Sequence, residues 1–144
     1  MPASAAELLA ATTVLVRRGP YALGAWPPVN RAVLLETLAA LPPDHGFVNF
    51  DEREITVLVL EDRLETLPPP TAVEHGWAVL TLDTVMTWDV LGVLAGVSSA
   101  FAAAGVPLGA VSAFSRDHLL VQAPHLERAA AVLGVLCAEV RDLG

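Results

Sequence analysis

The sequence contains a single cysteine, Cys137, and no cluster of metal-ligating residues. One thiol excludes an internal disulfide and any metal site built from several thiolates. Because Cys137 lies on an apolar segment predicted to be helical, we expect a buried small hydrophobic residue, with a reactive thiol as the alternative. The histidines have no short metal-ligand spacing; they are His45, His75, His118 and His125. The sequence therefore points to no metal and no cofactor.

Basic residues are also scarce, with eight Lys and Arg against sixteen Asp and Glu and a formal charge of −8. Beyond Arg17 and Arg18 there is no basic cluster, so phosphate backbones and anionic lipid would repel the chain. We therefore expect no nucleic acid and no membrane as partners. The charge-free run 90–115 contains four glycines and a proline, which favours a helix followed by a strand over a membrane span. The arginines follow the first apolar segment, which is the wrong order for a signal peptide, so we predict a cytoplasmic protein.

Signals of catalysis are missing as well. No glycine-rich phosphate loop occurs, because the glycines between positions 92 and 109 are spaced for a helix and its exit. Ser115, Asp117 and His118 have the residue types of a catalytic triad. They are nearly adjacent in sequence, and side chains on one hairpin do not converge in the geometry of nucleophile, base and orienting group. We therefore expect a protein that is not an enzyme.

The stretch from Asp89 to Val121 has the clearest pattern in the chain. Residues at helical spacing predict a helix over 89–104 with Asp89 as its N-cap, and place Leu91, Leu94 and Phe101 on one apolar stripe. Gly105 and the following Pro107 end this helix. The period then changes to two, which predicts strands over 108–114 and 118–122 joined by a hairpin turn at 115–117.

The remaining elements follow the same order. The predicted elements are strand 12–18, turns at 19–20 and 24–28, helix 31–41 with Asn30 as N-cap, strands 47–50 and 55–60, strand 77–82 and helix 124–140. A shift of about 64 residues superimposes the two halves in pattern. We predict an α+β fold, a ferredoxin-like βαββαβ sandwich built as two tandem units that share or pair antiparallel sheets. The first unit covers 1–67, the proline-rich linker 68–76 and the second unit 77–144.

The run Asp89-x-x-Gly92-x-Leu94-Ala95, followed after one helix by Ala104-Gly105-Val106 and a strand, resembles the ACT domain. The ACT domain is a small regulatory module that binds amino acids in many metabolic enzymes. The hairpin from Val111 to Val121 resembles the stand-alone tandem ACT proteins, the branch that includes the cytosolic arginine-sensor family of animals. This resemblance covers Trp77 to Leu136. It implies a ligand site between the strand–helix loop of one unit and the second strand of its neighbour.

On that resemblance, nine residues are candidate ligand contacts: Asp89, Gly92, Val106, Leu108, Ser112, Phe114 and Asp117 from the second unit, with Val48 and Asn49 from the first. Physical reasoning supports a site at the same place. The first N–H groups of a helix entered at 87–89 lack intrahelical partners and attract a carboxylate. Asp117 offers a partner for an ammonium or cationic group.

Each candidate also has a purely structural explanation. Asp89 serves equally as a helix cap, and Asp117 as a turn residue. Phe114 and Val106 are candidate core residues, and Gly92 permits close packing. Trp88 is either a lid over a pocket or a peripheral core residue.

Three functions are consistent with these patterns. The first is a non-catalytic sensor that binds an amino acid or a similar zwitterion and reports it to a protein partner. The second is a structural module that pairs a sheet edge with another copy of itself and binds no small molecule. An enzyme is the third. We favour the sensor and expect a homodimer.

Overall fold

The structure is a computed structural model, and it describes residues 4–144. The helices are α1 (Ala5–Ala10), α2 (Arg31–Ala39), α3 (Val93–Ala103) and α4 (Leu126–Leu136), with 3₁₀ helices at Pro28–Asn30, Glu61–Thr66 and Ala123–His125. The strands are β1 (Thr13–Trp26), β2 (Phe47–Phe50), β3 (Ile55–Leu60), β4 (Ala72–Asp83), β5 (Gly109–Ser112), β6 (Asp117–Gln122) and β7 (Glu139–Asp142). This is an α+β fold, as predicted.

The described residues form two compact units that do not follow the order of the chain. The larger unit contains residues 4–18 and 78–144, and the smaller unit contains residues 19–77. The long strands β1 and β4 each contribute residues to both units.

The larger unit has the strand order β5–β6–β4–β1, and β7 pairs with β1 in parallel. Helices α1, α3 and α4 contribute to one hydrophobic core with the sheet. From α3 the buried side chains are Val93, Val97 and Phe101. The predicted stripe is therefore correct at Phe101 and wrong at Leu91, which precedes the helix and is 83% exposed.

The C-terminal end of α3 is as predicted. Gly105 has a φ of +72°, a left-handed conformation that residues with a Cβ atom rarely adopt. The Gly105 N–H donates to the Ala102 carbonyl at 3.1 Å, and the Val106 N–H donates to the Phe101 carbonyl at 2.9 Å. These two bonds satisfy carbonyls that the last helical turn leaves open. They also direct Val106 back into the core, where it is 3% exposed.

The end of the chain differs from the prediction. Helix α4 ends at Leu136, whereas the sequence pattern extended it to Val140. Cys137 takes an extended conformation, and residues 139–142 form β7. The Ala138 N–H donates to the Thr12 carbonyl at 2.9 Å, and the Leu143 N–H donates to the Val16 carbonyl at 2.8 Å. Pairing with β1 thus replaces the last helical turn, because it satisfies these backbone groups while Val140 packs against the core.

Cys137 is 8% exposed, and burial raises the pKa of its thiol. A thiol with a raised pKa is a poor nucleophile, since the thiolate is the reactive form. The expectation of a buried hydrophobic residue is confirmed.

The smaller unit has the strand order β2–β3–β1–β4. Strands β2 and β3 have the predicted bounds, and Asp51 forms the predicted turn between them by accepting the N–H groups of Arg53 and Glu54. Trp26, Leu34, Ile55 and Val57 lie in its core. Asn30 precedes α2, but its side chain makes no capping hydrogen bond.

The turns predicted at 19–20 and 24–28 are wrong over most of their length, because β1 continues to Trp26. Residues 21–26 pair with 55–60 of β3, from Tyr21 opposite Leu60 to Trp26 opposite Ile55. A Cβ atom at Gly24 would lie 2.6 Å from the indole ring of Trp26. Gly24 is therefore needed as space beneath that ring, and it does not reverse the chain.

Helix α1 was not predicted from the sequence. Ser4 caps it by accepting the Glu7 N–H at 3.1 Å, and Leu9 is buried. Within residues 4–144, no helix is long and apolar enough to cross a membrane.

Three pairs of elements in the two halves recur at a constant spacing along the chain. Helices α2 and α3 begin at positions 31 and 93, strands β2 and β5 at 47 and 109, and strands β3 and β6 at 55 and 117, so the offset is the same for all three pairs. The two hairpin turns have the same bond: the Asp51 N–H donates to the Glu54 carbonyl at 3.1 Å, and the Ala113 N–H donates to the Arg116 carbonyl at 2.9 Å. We call this spacing the constant offset. It pairs each position from the start of α2 to the end of β3 with one position of the second half, whereas β1 and β4 begin at positions 13 and 72 and do not follow it.

Candidate functional site

The candidate site is a cavity of about 210 Å³ in the larger unit, which we call the hairpin cavity. It lies between the segment that connects β4 to α3 and the turn of the β5–β6 hairpin. Its lining residues are Met86, Thr87, Trp88, Val90, Gly92, Val93, Leu94, Ser112, Ala113, Phe114, Ser115, Arg116 and Asp117. The volume is below the range of about 300–1,000 Å³ that is typical of pockets for drug-sized ligands, so the cavity suits a smaller molecule.

One wall is the N-terminus of α3. Gly92, with a φ of +87°, is the N-cap residue, and no side chain caps the helix. The first intrahelical bond joins the Gly96 N–H to the Gly92 carbonyl at 2.9 Å. The N–H groups of Val93 and Leu94, which both line the cavity, therefore have no intrahelical acceptor. Together with the helix dipole they favour an anionic group at this wall.

The predicted N-cap at Asp89 is wrong for a related reason. The left-handed conformation of Gly92 reverses the chain just before the helix, so α3 begins at Val93. Asp89 lies in the preceding loop, where the Val90 N–H donates to the Thr87 carbonyl at 3.2 Å. The residues of this loop have the same helical spacing as those of α3, so the pattern predicted that the helix begins at Asp89.

The opposite wall is the hairpin turn. The Met86 N–H donates to the Ser115 carbonyl at 3.0 Å and so ties the connecting segment to the hairpin. Arg116 forms an ion pair with Asp83 at 2.8 Å, which neutralises the cation in this wall. Asp117 pairs with Ser112 in the β5–β6 register, and both residues line the cavity. The wall therefore presents a carboxylate and a hydroxyl group.

A partly buried chain of polar side chains lies next to this wall. Arg17 on β1 donates to the Thr81 hydroxyl at 2.7 Å, and that hydroxyl lies 2.8 Å from Nδ1 of His118. Because Thr81 accepts from Arg17, its own proton is available for Nδ1 of a neutral imidazole. Burial, and then the charges of Arg116 and Arg17, lower the pKa of His118. His118 therefore has a structural role as a neutral side chain beside the cavity.

Four of the nine predicted ligand residues line the hairpin cavity: Gly92, Ser112, Phe114 and Asp117. Val106 is in the core, which confirms its alternative explanation, and Leu108 packs against that core. Val48 and Asn49 lie on β2 in the smaller unit. Ligand contact by any of the nine stays a prediction.

Sequence reasoning missed several lining residues, among them Met86, Val90, Val93 and Arg116. A correct position for the start of α3 would have identified Val93, whereas no motif marks the others. Across residues 4–144, no group of three or more His, Cys, Asp and Glu side chains is arranged to hold a metal ion.

Large apolar side chains surround the mouth of the cavity. Trp88 is 78% exposed and Phe114 is 93% exposed, so the explanation of either residue as core is wrong. Leu91 and Val85 in the adjacent loop are also exposed. Large contiguous apolar patches on a surface are typical of docking sites for a ligand or another protein.

Two of the corresponding residues in the smaller unit contact each other. At the constant offset, Arg31 takes the position of Val93 and Phe50 takes that of Ser112. The Arg31 guanidinium lies over the Phe50 ring at 3.9 Å from its centroid, a cation–π contact. Arg31 and Phe50 thus contact each other, whereas Val93 and Ser112 line the hairpin cavity.

Comparisons with known proteins agree with this architecture. The family model of the ACT domain matches residues 72–134. A comparison with curated proteins found no match. Among solved structures, a protein from Agrobacterium tumefaciens is 20% identical with a TM-score of 0.68, over 93% of this chain and 95% of that one.

Two further structures are regulatory subunits of aspartate kinase. The subunit from Thermus thermophilus, in a ligand-free form, is 15% identical over 89% of this chain and 98% of that one, with a TM-score of 0.68. The subunit from Thermus flavus is 19% identical over 88% and 98% of the two chains, also with a TM-score of 0.68. At these identities the likeness concerns the fold. Residues 72–134 therefore match the family model of the ACT domain, and the chain has the α+β fold of those regulatory subunits.

Proposed function

We propose that this protein is a non-catalytic regulatory protein that binds a free amino acid in the hairpin cavity. The observation that carries the proposal is the pairing of an uncapped helix N-terminus with a carboxylate across a cavity of about 210 Å³. The ACT domain match and the fold of aspartate kinase regulatory subunits support a regulatory role.

The cavity offers complementary groups to a zwitterion. The ligand carboxylate accepts hydrogen bonds from the N–H groups of Val93 and Leu94, at the positive end of α3. The ligand ammonium pairs with Asp117, and Ser112 adds a hydroxyl group. Trp88 and Phe114 then close over the ligand side chain. Ligand binding orders the entrance of the cavity, and a protein partner binds to the ordered surface.

We also propose the finer arrangement that the sequence indicated. The chain is a tandem of ACT-like units, a proposal supported by the constant offset between corresponding elements. Arg31 of the first unit contacts Phe50, whereas the corresponding Val93 and Ser112 of the second unit line the hairpin cavity. Val48 and Asn49 complete a ligand site when ACT-like units assemble, and Asp89 contributes through the loop before α3. The resemblance to the arginine-sensor branch places arginine among the first ligands to test.

Isothermal titration calorimetry of the full chain against the twenty amino acids tests the proposal. We expect binding of at least one amino acid, with a change in tryptophan fluorescence from Trp88. Asp117→Asn removes the ammonium partner, and the loss of a charge-assisted hydrogen bond of about 1.5–3 kcal/mol weakens binding about tenfold or more. Glu52→Gln is the matched control: it removes the same charge from an exposed turn and leaves the affinity unchanged.

Two results would contradict the proposal. One is the absence of heat and of fluorescence change for all twenty amino acids. The other is binding that Asp117→Asn leaves intact while Trp88 fluorescence does not respond, since the ligand would then lie elsewhere. Asp89→Asn tests the separate prediction that the loop carboxylate contributes.

A homo-oligomerisation module without a ligand is the second candidate, and the exposure of Trp88, Leu91 and Phe114 favours it. The occupant of this surface is then a second copy of the chain, because association removes these side chains from water. Light scattering distinguishes the two functions. The module would be supported by a dimer that no amino acid affects. Trp88→Ser should dissociate this dimer, and the matched control Val29→Ser in the smaller unit should leave it intact.

A further inference from the structure

The smaller unit contains a cavity of its own, which we call the α2 cavity. We propose that it binds a second small ligand, a zwitterionic amino acid with an apolar side chain. The cavity has a volume of about 210 Å³. It is lined by the end of α2 and the residues after it, by β2 and β3, and by Arg63.

Most of the lining is apolar. Leu38 and Leu41 come from the end of α2 and the residues after it, Phe47 and Val48 from β2, and residues 58–60 from β3. An aliphatic or aromatic side chain gains about 25 cal/mol for each Å² of apolar surface that such walls remove from water. The walls therefore select the ligand side chain by its hydrophobicity.

The charged part of the lining consists of one acid and one base. Nε and Nη2 of Arg63 both donate to Oδ2 of Asp44, at 3.3 Å. These distances exceed the usual span of about 2.7–2.9 Å for a charge-assisted hydrogen bond, and the two side chains are 34% and 37% exposed. Among the described residues, no hydrogen bond uses Nη1 of Arg63 or Oδ1 of Asp44. A zwitterion offers a carboxylate to the first group and an ammonium to the second.

The position of the wall is fixed by a close backbone contact. A Cβ atom at Gly46 would lie 2.6 Å from the Leu58 carbonyl oxygen. Only glycine allows the loop after α2 to approach β3 this closely. The neighbouring residues are held in place, because Phe47 then pairs with Leu58 in the β2–β3 ladder. The acid and the apolar wall are thus positioned before any ligand arrives, which lowers the entropic cost of binding.

The larger unit lacks this site. At the constant offset, Val106 takes the position of Asp44 and Leu108 takes that of Gly46. Val106 is 3% exposed, and both residues pack in or against the core. The α2 cavity is therefore separate from the hairpin cavity and from the function proposed for it.

Three ligands tested on the full chain separate the charge requirements. Leucine carries both charges, N-acetyl-leucine lacks the ammonium and leucinamide lacks the carboxylate. We expect leucine to bind, with shifts of the backbone amide signals of residues 45–48 in NMR spectra. The affinity for each of the other two compounds should be lower by a factor of about ten or more, because each compound loses one charge-assisted hydrogen bond.

Variants assign the binding to the cavity. Arg63→Gln and Asp44→Asn should each weaken leucine binding about tenfold or more. Arg53→Gln and Glu52→Gln remove the same charges from the β2–β3 turn and should change it less than twofold. Asp117→Asn, in the hairpin cavity, should also leave it unchanged. Circular dichroism checks that each variant is folded.

The proposal is overturned if leucine, isoleucine, valine, methionine and phenylalanine all fail to bind, or if N-acetyl-leucine and leucinamide bind as well as leucine. It is also overturned if Asp117→Asn abolishes leucine binding while Asp44→Asn does not, which would place leucine in the hairpin cavity. The two proposals can fail separately. If the hairpin cavity binds no ligand, leucine should still shift the amide signals of residues 45–48, and Arg63→Gln should still weaken leucine binding.

Discussion

Replacing glycine by alanine should change the stability in opposite directions at two positions, one within α3 and one just after it. Gly105 follows the helix with a φ of +72°, and a Cβ atom there would meet nothing within 4 Å. The cost of Gly105→Ala is therefore purely conformational, about 1–2 kcal/mol for a residue with a Cβ atom in the left-handed region. The smaller entropy of the unfolded chain offsets part of that cost. We expect a net destabilisation of about 1 kcal/mol.

Gly96 lies inside the same helix with an ordinary helical backbone. A Cβ atom there would lie 3.8 Å from Cδ1 of Leu9, which is a normal van der Waals distance. Alanine is better than glycine in a helix interior by about 0.5–1 kcal/mol. Gly96→Ala should therefore stabilise the protein by about that amount.

Urea unfolding followed by circular dichroism measures both changes, with the slope m compared between variants. The two variants should differ by about 1.5–2 kcal/mol in the free energy of unfolding. In a chain near this size, each kcal/mol of difference shifts Tm by about 2–4 °C. Gly105→Ala at or above wild-type stability would refute the assignment of a left-handed helix end. A destabilised Gly96→Ala would refute the distance of α3 from α1.

Three further predictions concern the core and its polar groups. Phe101→Ala should cost about 3–5 kcal/mol because Phe101 is fully buried, whereas Phe114→Ala should change the free energy of unfolding by less than about 0.5 kcal/mol; equal costs would contradict the burial of Phe101. Trp26→Phe removes the indole bond to the Pro68 carbonyl at 2.7 Å and should cost about 1–3 kcal/mol in urea unfolding, while Trp88→Phe should cost almost nothing. The pKa of His118 is lowered in the folded state. As the pH falls, the unfolded chain therefore takes up a proton at this histidine at a higher pH than the folded chain does. The free energy of unfolding should consequently fall as the pH drops from about 7 through the ordinary histidine pKa of about 6.5. His118→Gln should flatten that fall; a slope unchanged from that of the wild type would contradict a neutral buried imidazole.

The elements that were predictable from the sequence are those whose signal is local. The β-branched run from Ile55 to Leu60 gave a strand with the correct bounds, and Gly105 gave the correct end of α3. Both depend on backbone preferences within a few residues. The candidate site was partly predictable for the same reason, since Gly92, Ser112 and Asp117 flank elements whose type was correct.

The errors arose where distant parts of the chain decide the conformation. Gly24 looked like a turn residue, but the ring of Trp26 and the partner strand β3 make it part of β1. The sequence pattern extended the helix to Val140, but pairing with β1 makes residues 139–142 a strand. The α2 cavity could not be found from sequence, because Asp44 and Arg63 are 19 positions apart and meet only in the folded unit.

The parallel pairing of β7 with β1 has a consequence for the order of assembly during synthesis on the ribosome. Arg18 and its ion-pair partner Asp142 are 124 positions apart, so the larger unit cannot complete its sheet until almost all of the described chain has emerged. The smaller unit has every one of its residues by position 77. A nascent chain should therefore form the smaller unit first, while the N-terminal half of β1 pairs with β7 only after residues 139–142 have been translated.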